Sequence, residues 1–80
     1  MYYERSRKDI FIQEFLPTIP IGGEFTTAEA FDWFQRDYPL FKKSGIEWLL
    51  KYLSDKRPKI LDGYPLVLKV LTSTAWKRVG

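Results

Sequence analysis

Histidine and cysteine are both missing from the 80 residues of this chain. Without histidine there is neither the commonest general acid–base nor the commonest metal ligand. Without either residue, the usual pairing of a nucleophile with a base cannot be assembled. The lack of cysteine also excludes a disulfide framework and a thiolate metal site, which fits a cytoplasmic protein. No apolar run approaches the length that spans a membrane, so no membrane partner is expected. The opening MYYERSRKD has no apolar stretch of the kind a secretory signal needs. There is no glycine-rich phosphate loop: Gly22-Gly23 lacks the further glycine and lysine of one. Glu29 and Asp32 lie one turn apart on a helix, but two acids on a solvated face fall far short of a cation cage. A chain this short also has little material for a concave active site. The sequence therefore predicts no enzyme, no catalytic residue, no metal and no cofactor.

What is present is core material. Hydrophobic residues make up 45% and aromatic residues 18%, enough to predict one folded domain rather than a disordered chain. Residues 1–5 read as a flexible N-terminus and residues 6–80 as the domain. Charge is unevenly spread. Residues 1–41 hold four basic side chains against seven acidic ones, a net −3; residues 42–80 hold nine against three, a net +6. A basic C-terminal half points to an anionic partner, nucleic acid above all, or simply to a soluble surface.

Ser6 with Asp9 three residues on predicts a helix start. Phe11, Ile12, Phe15 and Leu16 then form the stripe of a helix over 7–16, with Ile10 pointing away and Pro17 and Pro20 ending it. Gly22-Gly23 makes a bend, followed by a weak strand signal at Glu24-Phe25. Thr26 and Glu29 form a capping box for a helix to about Asp37, whose buried stripe is Ala30, Phe31, Phe34 and Tyr38. After Pro39, the stretch Ser44–Ser54 reads as a third helix. Ile46, Leu49, Leu50 and Leu53 line one face; Glu47, Trp48, Lys51 and Asp55 line the other. Ser44 and Glu47 look like a second capping box. Lys59 to Leu61 could be a short strand, and Asp62-Gly63 is a hairpin signal. Leu66 to Leu71 and Ala75 to Val79 read as strands around a Thr72-Ser73-Thr74 turn, with Pro65 placing the first at a sheet edge.

This order predicts an α+β domain: three helices, then a two- or three-stranded antiparallel hairpin or meander. Thr26–Tyr38 as a supporting helix, Ser44–Leu53 as a recognition helix and Leu66–Val79 as a wing resemble the winged helix-turn-helix superfamily. The resemblance is one of architecture and covers about residues 6–80. It departs from the usual pattern in the long link from Ser54 to Leu66. The outward helix face also carries two acids and a tryptophan. The resemblance implies a regulatory or accessory protein, such as a transcription regulator, that binds double-stranded DNA with helix 44–54 in the major groove.

The residues fit that expectation. Lys42, Lys43, Ser44 and Gly45 combine cations with backbone N–H groups at a helix start, which suits phosphate. Trp48 and Lys51 face the groove. Glu47 either caps the helix and pairs with Lys51, or accepts from a cytosine amino group. Lys69, Thr72, Ser73, Thr74, Lys77 and Arg78 form a wing of cations and hydroxyls suited to a backbone or minor groove. The alternative is a protein-interaction module or small inhibitor on the same scaffold, using an exposed Trp48 face. Oligomeric state is not legible from the residues.

Overall fold

The first helix starts where the sequence places it. Ser6 Oγ accepts from the Asp9 amide at 3.2 Å and caps α1 (Arg7–Ile10). The computed structural model describes residues 6–59 and 63–80. The helix then widens into a π turn, Phe11–Phe15, and closes with a 3-10 turn, Leu16–Thr18. Pro17 accounts for this. It has no N–H, and in a regular α-helix its ring would strike the Gln13 carbonyl. An i→i+5 bond from the Leu16 amide to the Phe11 carbonyl opens the turn instead. That extra residue per turn corrects the expected stripe. Ile10, predicted to point away, is 1% exposed, and Ile10, Phe11, Phe15 and Leu16 form the inward face while Ile12 moves to its margin.

The Thr26–Glu29 capping box forms in full. Glu29 N–H donates to Thr26 Oγ1 at 3.1 Å, and Thr26 N–H donates to Glu29 Oε1 at 2.9 Å. It opens α2 (Thr27–Asp37) directly after β1 (Glu24–Thr26). The third helix is α3 (Lys43–Tyr52), followed by β2 (Leu68–Val70) and β3 (Ala75–Arg78). Among the described residues this is an α+β arrangement of three helical segments and one three-stranded antiparallel sheet, compatible with a small winged-helix-like fold. The strand expected at Lys59 to Leu61 and the Asp62-Gly63 hairpin fall largely outside the described residues, as do residues 1–5.

The strand order is β1-β3-β2, so β2 is an edge strand as Pro65 predicts. Phe25 pairs with Trp76, and Trp76 with Val70, putting all three on the inner face. Trp76 is 5% exposed, and its indole N–H donates to Thr27 Oγ1 at 2.9 Å, which satisfies its one polar atom. Glu24, Lys77 and Lys69 form a row on the outer face. Four phenylalanine rings, Phe11, Phe15, Phe25 and Phe34, meet at the centre with Ile46, Leu49, Leu50, Leu53 and Leu68.

Gly22 has φ +88 and donates to the Arg78 carbonyl at 2.7 Å, which swings the chain from the first helical segment into β1. Arg78 locks the same corner. Its Nη1 donates to the Leu16 carbonyl at 3.1 Å and the Ile19 carbonyl at 2.7 Å, and its Nε to the Gly80 carbonyl at 2.9 Å. Arg78→Met keeps the stem but deprives these carbonyls of their donor. It is expected to lower stability by about 2 kcal/mol, read as a lower urea midpoint at unchanged slope. A loss below about 0.5 kcal/mol would show that water replaces the guanidinium without cost.

Candidate functional site

The α3 helix owes its starting point to the turn before it. Phe41 packs against Phe34 and lies flat on Tyr38, with ring centroids 5.6 and 5.7 Å away. Gln35 Nε2 donates to the Phe41 carbonyl at 2.9 Å. These contacts fix Lys42 in an extended conformation (φ −89, ψ 154) as the residue before the first turn. The capping box predicted from Ser44 and Glu47 therefore does not form. Ser44 already lies inside the helix, and no side chain caps the first amides.

The inward residues of α3 are Ile46, Leu49 and Leu50, continued by Leu53. At 3.6 residues per turn the opposite line runs through Ser44, Trp48 and Lys51, and all three are exposed. Glu47 is exposed toward the Lys43 side of that line. The helix thus presents a hydroxyl, an indole and an ammonium in one row, with an acid beside it.

A basic group gathers at the start of this row. Lys42 and Lys43 are exposed there. Arg7 of α1 joins them. Its Cζ stands 5.6 Å from the centre of the Phe41 ring, and a Cβ on Gly45 would come within 3.1 Å of it. The space left by the missing side chain at Gly45, which the sequence placed in a phosphate-binding helix start, is therefore filled by the Arg7 guanidinium. Sequence reading missed Arg7, because it lies in the acidic half and reaches Phe41 and Gly45 only through the packing of α1 against α3.

The far end of α3 touches the hairpin. The Leu53 carbonyl accepts from the Val67 and Leu68 amides, both at 3.0 Å, and Asp55 Oδ1 accepts from Val70 N–H at 3.2 Å. Lys69 and its cross-strand partner Lys77 stand at this end, on the outer face of the sheet. Lys42 and Lys43 stand at the opposite end of α3, whose ten residues span about 15 Å. In the turn, Thr72 Oγ1 accepts from Thr74 N–H at 3.3 Å and Ala75 N–H at 3.1 Å. The Thr74 carbonyl accepts from Thr27 N–H at 2.9 Å, docking the turn on the start of α2. Thr72 and Thr74 thus build the hairpin, and Ser73 is exposed at its tip. Arg78, predicted to join the wing, turns inward to the carbonyls described above.

Trp48 does not stand alone. Its ring lies on Tyr52 with centroids 4.0 Å apart and planes 25° apart. Tyr64, from the segment that returns along α3, meets Trp48 edge-on at 5.8 Å and Tyr52 at 6.1 Å. Lys8 Nζ sits 5.2 Å from the centre of the Tyr64 ring and 3.7 Å from Asp9 Oδ1. The sequence pointed to Trp48 but not to Tyr52 and Tyr64 as its partners.

Among the described residues no helix is long and apolar enough to cross a membrane. Nor do three or more acids gather there as a metal ion would require. Comparison with protein-family models, with curated proteins and with solved structures finds no match.

Proposed function

We propose that this chain is a small cytoplasmic DNA-binding protein of winged-helix type, acting without a cofactor in a regulatory or accessory role. The observation that carries the reading is the row Ser44–Trp48–Lys51, exposed along α3 between two basic ends. Arg7, Lys42 and Lys43 flank its start; Lys69 and Lys77 stand beyond its end. A major groove is about 12 Å wide and admits one helix, so cations gathered near both ends of that helix suit the phosphates that line the groove. The uncapped amides of the first turn of α3 add donors that phosphate oxygens accept.

The test is fluorescence anisotropy with a mixed-sequence labelled duplex at about 50 and about 200 mM salt. Each phosphate contact contributes about −0.9 to the slope of log affinity against log salt, so five cations predict a slope of about −4.5. Lys42→Glu with Lys43→Glu is expected to weaken binding at low salt by at least about tenfold. No binding at the lower salt overturns the reading.

The second reading is a protein-interaction module, and the stacked Trp48–Tyr52 pair favours it. Exposed aromatic side chains of this kind are common anchors of protein interfaces. The two readings part on salt: a protein partner anchored on Trp48 would bind with little dependence on ionic strength.

A further inference from the structure

We propose that the aromatic face of α3 stacks against an unpaired base, so that the preferred substrate of this surface is DNA in which a duplex meets a single strand. This deepens the DNA reading and rests on it.

The reason lies in what Trp48 can and cannot do. Base edges in a duplex are read by groups that offer paired donors and acceptors or a bidentate fork. An indole has a single N–H donor and no acceptor. At the middle of the exposed row it is a poor reader of edges. Its strength is its face, and bases inside a duplex hide theirs in the stack. A base outside the stack offers one.

The structure prepares Trp48 for that role. The indole is 44% exposed, against 5% for Trp76. It rests on the Tyr52 ring at 4.0 Å, and Tyr64 braces both rings from the side. A ring held from beneath loses little freedom when a base settles on it. Cations surround the platform: Lys8 over Tyr64, Lys51 in the next turn of α3, and Arg7, Lys42 and Lys43 toward its start. Among the described residues Glu47, Asp9 and Asp55 are the acids of this face; Asp9 is within 3.7 Å of Lys8, and Asp55 accepts from the Val70 amide. Aromatic faces set among cations match the two halves of a nucleotide, a flat base and an anionic backbone. That charge balance favours a nucleic-acid strand over an acid-poor protein surface as the occupant.

The experiment compares three labelled probes at about 100 mM salt: a blunt duplex, the same duplex with a single-stranded tail, and the tail alone. The tailed duplex is expected to bind about tenfold more tightly than the blunt one, the size of one stacked base. Trp48→Ala is expected to remove that preference, and Trp48→Phe to keep part of it. Binding of the tail should also quench tryptophan emission, in which Trp48 is the most exposed contributor. Equal affinity for blunt and tailed duplex, or a preference that survives Trp48→Ala, overturns the stacking role and leaves duplex binding standing. Binding to none of the three overturns both. Tightest binding to the tail alone, lost in Trp48→Ala, upholds stacking and overturns the duplex groove as the principal site.

Discussion

Replacing Phe34 by alanine is expected to remove 3–5 kcal/mol of stability, about the cost of emptying a fully buried aromatic site. Phe34 is entirely buried. Its ring touches four others: Phe11 at 6.4 Å, Trp33 at 5.1 Å, Tyr38 at 6.2 Å and Phe41 at 5.6 Å. Those rings belong to the first helical segment, to α2 itself and to the turn that fixes the start of α3. Removing Phe34 therefore leaves a void where three parts of the chain meet, and rigid rings cannot collapse into it. A domain of this size is worth roughly 4–12 kcal/mol in total. The variant should unfold at a much lower urea concentration, and a large fraction should be unfolded at 37 °C. A loss below about 1.5 kcal/mol would mean that the core repacks, contrary to the geometry above.

Charge reversal at Arg7 is the second large effect. Arg7→Glu is expected to cut duplex affinity at about 50 mM salt by ten- to a hundredfold and to flatten the salt slope by about one. Arg7 lies 35 positions before Lys42 in sequence (42 − 7), yet its guanidinium rests against Gly45 in the first turn of α3. The contact with the Phe41 ring is exposed and worth about 0.5–1 kcal/mol, so the fold should survive the change. Circular dichroism would confirm that. Unchanged affinity in a folded Arg7→Glu protein would show that the start of α3 does not meet phosphate.

Much of this molecule was legible in its residues. The Ser6 cap, the Thr26–Glu29 box, the span of α2, the inward stripe of α3 and the edge position of β2 all follow from local spacing. The misreadings share a cause: a distant contact outweighed a local signal. Ser44 and Glu47 have the right spacing for a capping box, but the packing of Phe41 on Phe34 and Tyr38 moves the cap position two residues earlier, from Ser44 to Lys42. Ile10 turns inward because Pro17, seven residues later, forces a wider turn. The residue pattern of β3 marked Arg78 as a cation of the wing. What it could not show was that three carbonyls from the first helical segment and the chain end await that guanidinium. The site shows the same division. Lys42, Lys43, Trp48 and Lys51 were legible, because one helix carries or adjoins them. Arg7, Lys8, Tyr52 and Tyr64 gather around them only through tertiary structure.

The central strand of the sheet comes after its two neighbours among the described strands. Both β1 and β2 pair with β3 and not with each other, so neither has a partner strand until residues through Arg78 are available, and only Leu68 of β2 is held earlier, by its bridge to Ser54 and its bond to the Leu53 carbonyl. During synthesis the helices emerge first and can collapse around their aromatic side chains, while the sheet waits. The inward faces of β1 and β2 lack their partner strand in that interval, and the sheet closes when β3 inserts between them. Removal of residues 75–80 should accordingly leave a collapsed helical intermediate with two orphan strands, the kind of species that chaperones hold and proteases clear.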